Sequence, residues 1–201
     1  MRIYDQLEEM KEYIAEGDWD GLEKVARKRC EKLAGKDIAA KIDDIELTEY
    51  ADELEEGLKR AYEEAEELGA LAVYFDYDMD NQWNGAFFLC NEYTPEEEED
   101  DDWAADCDDE LEGPAMPEMA ELYAATFDAS DKDRGINGYL IARTVAAFGR
   151  VVDSLPDPEN LAVCIGFHDQ EGLLRIRENE DMEYDLDDEE ADEDDDEEDE
   201  E

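Results

Sequence analysis

The sequence predicts an α+β fold, in which an antiparallel sheet built from two hairpins packs against helices. Three observations predict it. Apolar residues recur at helical spacing over residues 3–68, later segments alternate with period two, and residues 178–201 hold 19 acidic residues and no basic one. A chain of 201 residues can bury the core of one domain. We expect an N-terminal helical segment over residues 1–46, an α+β domain over residues 47–177 and a disordered polyacidic tail over residues 178–201.

The spacing of apolar residues predicts two helices in the N-terminal segment. The first has Ile3, Leu7, Met10 and Ile14 on one face and ends at Gly17. The second begins after the N-cap residue Asp18 and ends at Gly35. Its outer face is basic, and two interpretations of that face are open: a solvated surface neutralised by the acidic runs, or a contact for an acidic partner. The basic residues are Lys24, Arg27, Lys28 and Lys32.

A third helix and a hairpin follow. One apolar stripe runs over residues 47–68 with glutamates on the opposite face, and Gly69 suits the residue after the helix. Apolar residues then alternate over residues 71–77, and a second short apolar run covers residues 86–90. Because turn-forming residues separate the two runs, we expect them to pair as an antiparallel hairpin.

Residues 92–113 are predicted to form a long acidic surface loop that is partly disordered. Residues 96–112 hold 12 acidic residues and no basic one. Trp103 is unusual in such a run, and it either folds back onto the core or anchors a partner. Because the loop joins charge to an aromatic side chain, it is the predicted partner-binding site. The predicted site residues are Glu97, Glu98, Glu99, Asp100, Asp101, Asp102, Trp103 and Asp106.

The last part of the domain is predicted to be helices followed by a second hairpin. Pro117 suits the first turn of a short helix, and residues 136–155 are apolar on more than one stripe, as in a central helix packed on a sheet. Residues 161–167 and 173–177 are predicted strands joined by a turn at residues 168–172. The tail after residue 177 has too few apolar residues to fold by itself.

The charge of the chain restricts its partners. With 67 acidic and 17 basic residues the net charge is −50, which repels nucleic acid and anionic membranes and favours a basic protein as partner. Adaptation to high salt is an alternative explanation of the acidity, although clustering of the charge in two runs weighs against it. No apolar stretch approaches the ~18 residues of a membrane span, and the polar N-terminus lacks a secretory signal. Four widely spaced cysteines are expected to be free thiols. The free thiols and the lack of a secretory signal together indicate a cytoplasmic protein.

Two weak candidate sites contain titratable residues, and neither predicts a cofactor. Asp76, Asp78 and Asp80 have the opening spacing of a calcium loop, but Asn81 and Phe87 occupy positions that such a loop reserves for glycine and glutamate. The alternative is a solvated hairpin turn. His168 is the only histidine, and with Asp169 and a cysteine nucleophile from Cys90 or Cys164 it would offer acid–base catalysis. The alternative is a turn residue packed beside its strand.

Two segments resemble a family of bacterial proteins. A helix leads into residues 70–77, with sequence ALAVYFDY, and later a long helix leads into residues 163–171, with sequence VCIGFHDQE. This order resembles a group of uncharacterised bacterial proteins associated with polymorphic-toxin immunity, over roughly residues 48–179. The acidic loop and the tail are not part of the family pattern. The resemblance implies an intracellular protein that binds and blocks a toxin and has no enzymatic activity.

The sequence therefore supports three functional hypotheses. The first is a binding protein that neutralises or inhibits a basic partner, such as an immunity protein for a toxin. The second is an acidic chaperone-like or regulatory protein that acts through its tail. The third is an enzyme of unknown chemistry, which we expect this protein not to be. Deletion of the tail separates the first hypothesis from the second.

Overall fold

The computed structural model describes residues 1–98, 101–105, 107, 109–158, 160–168 and 173–179. Within these residues six α-helices pack with a five-stranded sheet, which confirms the α+β class. The helices are α1 (Ile3–Glu16), α2 (Trp19–Leu33), α3 (Lys36–Asp43), α4 (Thr48–Leu68), α5 (Pro117–Leu122) and α6 (Asp131–Ser154). The strands are β1 (Ala72–Asp78), β2 (Asn84–Cys90), β3 (Asp109–Glu112), β4 (Ala162–Phe167) and β5 (Leu174–Arg177).

Local signals set several helix ends where the sequence predicts them. Gly17 and Gly69 follow α1 and α4 in the left-handed conformation, with φ of 64° and 73°. The Asp18 side chain accepts a hydrogen bond from the Gly21 N–H at the start of α2. Helix α3 has no counterpart among the predicted elements, because Gly35 marks its N-terminal boundary as well as the end of α2.

The long helix α6 begins earlier than predicted. Its N-cap is Ser130, whose hydroxyl accepts from the Asp133 N–H while the Asp133 carboxylate accepts from the Ser130 N–H. This reciprocal pair is a capping box, and with it the helix begins at Asp131 rather than at the predicted residue 136. The apolar breadth of α6 is confirmed, since the helix is buried over most of its length.

The strands form one sheet in the order β3-β2-β1-β4-β5. The two predicted hairpins are confirmed, because β1 pairs antiparallel with β2 and β4 pairs antiparallel with β5. They join through β1 and β4, which run parallel with Tyr77 beside Phe167. The sheet is therefore mixed rather than wholly antiparallel, because the chain returns from β3 through α5 and α6 before it enters β4.

The main core lies between the sheet and the helices. Phe75, Phe87 and Phe148 are fully buried there, with ring centroids 4.8 Å apart for the first pair and 5.1 Å for Phe75 and Phe148. The buried side chains of α1, α2 and α3 belong to the same core. The helical residues 1–46 thus pack against the α+β part of the chain, chiefly through α2 on α6.

Two boundaries of the predicted irregular segments are wrong. Residues 109–112 form β3 on β2, so the acidic segment over residues 92–113 ends in a strand rather than in a loop. Glu178 and Asn179 contact the domain: Glu178 accepts from the Tyr93 hydroxyl, and the Asn179 side chain donates to the Asn160 carbonyl at 2.9 Å. The predicted tail therefore starts after residue 179, and the disorder expected of residues 180–201 lies outside the described residues.

Among the described residues, no helix has both the length and the apolar character needed to cross a lipid bilayer. This agrees with the absence of a long apolar stretch in the sequence.

Candidate functional site

The described part of the predicted partner-binding loop lies across the face of the sheet opposite the helices. We call its described residues, 91–98, 101–105 and 107, the strap. Trp103 is 4% exposed and packs on Tyr93 with ring centroids 5.2 Å apart. The two rings belong to a second, smaller apolar cluster, and of the two interpretations of Trp103 the fold-back onto the core is confirmed. The other buried members of the cluster are Ala72, Cys90, Ala162, Cys164 and Leu173.

A partly buried ion pair fastens the strap to the edge strand β5. The Arg175 side chain is only 4% exposed, and its guanidinium lies 2.6 Å from the Asp101 carboxylate. The other Asp101 carboxylate oxygen accepts from the Leu173 N–H at 3.1 Å. The Arg175 guanidinium also donates to the Thr94 carbonyl and lies over the Tyr93 ring. Asp101 thus holds the strap in place and is not a free surface charge.

A disulfide closes the strap on β2. Cys90 and Cys107 are bonded, across a sequence separation of 17 residues. The expectation of four free thiols is therefore wrong for this pair, whereas Cys30 and Cys164 are free and buried. The bond could not be predicted from the sequence, because neither cysteine belongs to a recognisable cysteine motif and only the fold of the strap brings the two together. The free-thiol argument for a reducing compartment no longer holds.

The remaining predicted site residues divide into two groups. Glu97, Glu98 and Asp102 are exposed, on two short 3-10 turns of the strap. Glu99, Asp100 and Asp106 lie outside the described residues. The strap therefore combines an inward-facing apolar and ion-paired side with exposed carboxylates, and Trp103 does not serve as an exposed anchor.

A larger acidic surface lies on α4. This helix packs on β1, β2, β3 and α6, and its outer side is lined with exposed carboxylates over a length of about 30 Å. Within the part of the chain that the structure describes, none of these carboxylates joins an ion pair with a basic side chain. We call them the α4 acidic face: Glu49, Asp52, Glu53, Glu56, Glu63, Glu64, Glu66 and Glu67.

Several charges of the α4 acidic face oppose the stability of the helix that carries them, whereas Glu49 in the first turn suits the helix dipole. Glu63 and Glu67 are four residues apart near the C-terminus, where the helix dipole disfavours negative charge, and the last turn has no basic residue. Asp52 and Glu56 form a second like-charged pair. Each such arrangement costs a few tenths of a kcal/mol up to ~1 kcal/mol. Helix stability therefore does not explain this face.

A shallow cleft of about 280 Å³ lies between α4 and the end of β3. Arg60 donates from its guanidinium to the Glu112 backbone carbonyl there, which ties the one cation of the cleft to the strand. The cleft gives the α4 acidic face a concave element into which a protruding side chain can fit. It is lined by Glu53, Glu56, Arg60, Glu112, Gly113 and Pro114.

His168 lies at the carboxyl end of β4, next to β1. Its Nδ1 is 3.5 Å from the Asp76 carboxylate, whose other oxygen accepts from the Tyr74 hydroxyl at 2.9 Å. Burial raises the pKa of Asp76 above its ordinary value. Neither proposed nucleophile is accessible, because Cys90 is in the disulfide and burial raises the pKa of the Cys164 thiol well above its usual range. The structure thus brings His168 to Asp76 but supplies no cysteine nucleophile.

The aspartates of the first hairpin form a turn. The Asp78 carboxylate accepts from the N–H groups of Asp80 and Asn81, at 2.9 Å and 3.2 Å, which is the turn geometry expected of an aspartate in that position. No group of three or more His, Cys, Asp or Glu side chains among the described residues is arranged to hold a metal ion. The turn interpretation therefore fits Asp78, and the calcium hypothesis has no geometric support.

The basic face of α2 is only partly engaged. Arg27 pairs with Asp43 and Glu31. Lys24, Lys28 and Lys32 are exposed and form no ion pair with another described residue. Both interpretations of this face remain predictions.

Comparison with known proteins adds no relative. No family model matches the chain, and neither a curated protein nor a solved structure is significantly similar to it. The function must therefore be inferred from the surface described above.

Proposed function

We propose that this protein binds a basic protein and inhibits it, as an immunity protein inhibits a cationic toxin. The α4 acidic face carries the proposal, because eight exposed carboxylates share one helix without a described cationic partner, and several of them, such as Glu63 and Glu67, oppose helix stability. Charge that destabilises its own fold is typical of a functional surface. The resemblance to toxin-immunity proteins points to the same class of function, and both remain proposals.

The physical basis of inhibition is electrostatic complementarity. A cluster of carboxylates raises the association rate of a cationic partner and covers the basic side chains with which that partner holds its own substrate. The cleft beside Glu53 and Glu56 provides a site for one projecting lysine or arginine of the partner. The exposed strap carboxylates Glu97 and Glu98 add negative charge elsewhere on the domain. In this proposal the folded domain acts, and no chemical step is required.

The first test is capture of partners from native lysate at about 0.15 M salt, where exposed charges more than about 8 Å apart are screened. The full chain and a chain ending at Asn179 are compared. We expect both to retain the same basic protein, because the proposed contact lies within the folded domain. If the full chain captures many basic proteins and the shortened chain captures none, the tail is the active element and the chaperone-like hypothesis replaces this one.

The second test locates the contact on the captured partner. The double variant Glu53→Gln, Glu56→Gln removes two charges from the cleft without changing side-chain size, and we expect the Kd for the partner to rise about tenfold or more. The matched control is Glu12→Gln, Glu16→Gln, which removes two exposed charges from α1. Equal affinities of the two variants in titration calorimetry would exclude the α4 acidic face as the binding surface.

A further inference from the structure

The two faces of the sheet are covered in different ways. Helices cover the face that carries Phe75 and Phe87. The opposite face carries Ala72, Cys90 and Cys164, and among the described residues it is covered by the strap through Tyr93 and Trp103. The strap has no helix or long strand of its own, so its position depends on a few fastening points.

One fastening point is covalent and the others are not. The disulfide joins the end of the strap at Cys107 to β2 at Cys90. The other fastenings include the Asp101–Arg175 ion pair, the hydrogen bond from the Tyr93 hydroxyl to Glu178, and the ion pair of Glu96 with Lys11 of α1. The Trp103 indole N–H is buried without a hydrogen-bond partner among the described groups, so docking of that ring leaves a polar group unpaired. Docking of the strap therefore carries the energetic cost of burying the unpaired indole N–H, and the disulfide limits how far the strap can move away from the sheet.

The two sulfurs of the disulfide differ in access. Cys90 is fully buried, whereas Cys107 is partly exposed at the margin of the strap. A thiolate from solvent therefore reaches the sulfur of Cys107 first. Disulfides with an accessible sulfur are the ones that exchange readily with external thiols.

We propose that Cys90–Cys107 is a redox modification site whose reduction releases the strap from the sheet. The co-substrate is a small dithiol or a dithiol protein. One of its thiolates bonds to the sulfur of Cys107, and Cys90 leaves as a thiolate that takes up a proton. The second thiol of the reductant then displaces Cys107, so that two electrons and two protons pass to the protein and the reductant becomes a disulfide. This inference does not depend on the proposed inhibition of a basic partner.

Release of the strap has a defined chemical consequence. Cys164 is fully buried beneath it, in the same apolar cluster as Trp103. Cys30 is equally buried, but it lies between the helices on the other side of the sheet. The two free thiols therefore report separately on the strap and on the helical core.

The test is alkylation of the native full-length protein with iodoacetamide, before and after treatment with dithiothreitol and its removal, with each cysteine followed by mass spectrometry. We expect neither free thiol to react in the oxidised protein. After reduction, Cys90 and Cys107 become modified and the rate at Cys164 rises on the order of 100-fold, the factor by which closing a loop of this length restricts the open chain. Cys30 stays protected.

Two results would overturn the proposal. If Cys164 stays as protected as Cys30 after the disulfide is reduced, the strap does not depend on the bond. If Cys30 reacts together with Cys164, reduction unfolds the whole domain and no selective release exists. The variant Cys107→Ser provides a second measurement without reductant, and it should show the fast reaction of Cys164 with slow reaction of Cys30. Slow reaction at both positions in this variant also contradicts the proposal.

Discussion

Single residues decide whether the strap is a surface loop or part of the fold, and Asp101 is the clearest case. Its carboxylate neutralises the buried Arg175 and accepts the Leu173 N–H. Asp101→Asn removes the nearer counter-charge of the buried guanidinium and leaves only Glu178, 3.8 Å away, so we expect the free energy of unfolding of the oxidised protein to fall by about 1–3 kcal/mol. Urea denaturation measures the change. Glu97→Gln, an exposed strap position, is the control and should stay within about 0.5 kcal/mol of the parent. Equal stability of both variants would mean that the ion pair does not support the strap.

Asp76 makes a pH-dependent contribution to stability. Because burial raises its pKa above the ordinary 3.8, the folded protein binds this proton more tightly than the unfolded chain. The contribution of Asp76 to the free energy of unfolding is therefore complete below about pH 3.8 and decreases as the pH rises through the raised pKa. Asp76→Asn cannot ionise, so the stability of the parent relative to this variant should fall with rising pH.

The measurement is urea denaturation of both proteins at several pH values across the carboxylate range. Asp80→Asn, exposed in the turn of the same hairpin, is the matched control. A stability difference between parent and Asp76→Asn that stays constant with pH would contradict the raised pKa.

At the scale of secondary-structure elements, α4 shows where packing overrides helix propensity. Gly57 lies in the middle of α4 and faces the sheet, and a Cβ at this position would overlap the ring of Phe87. Alanine favours an isolated helix by about 1 kcal/mol over glycine. We nevertheless expect Gly57→Ala to lower the free energy of unfolding by about 1–3 kcal/mol, because the helix must move away from β2. Denaturation of Gly57→Ala beside Glu53→Ala, on the exposed side of α4, tests this. Stabilisation by Gly57→Ala would show that the interface between α4 and β2 adjusts without cost.

For the whole molecule, the excess negative charge is the main physical constraint. At a net charge of −50 the folded state repels itself, and salt weakens that repulsion as the Debye length falls from about 30 Å at 0.01 M to about 8 Å at 0.15 M. We expect Tm to rise over this range in calorimetry. The rise should be smaller for a chain ending at Asn179, which lacks 18 acidic residues. Failure of the shortened chain to fold at low salt would favour salt adaptation of the entire surface.

The sequence by itself determined the features that depend on neighbouring residues. Gly17 and Gly69 mark helix ends because few other residues adopt a left-handed backbone readily. Period-two apolar runs identified both hairpins, and the count of acidic residues determined the net charge of the chain. The glutamates opposite the apolar stripe of α4 were also visible, although only the structure shows that they are exposed and lack a described cationic partner.

The tertiary structure decided the features that depend on which distant surfaces meet. The parallel pairing of β1 with β4, the position of β3, the inward turn of Trp103 and the bond between Cys90 and Cys107 all join segments across loops or helices. Local periodicity carries no information about such pairings, because each apolar face can in principle pack against several others. Composition therefore predicted the acidic strap as a partner site. In the structure Trp103 and Asp101 of the strap face the sheet, and α4 carries the broader acidic surface.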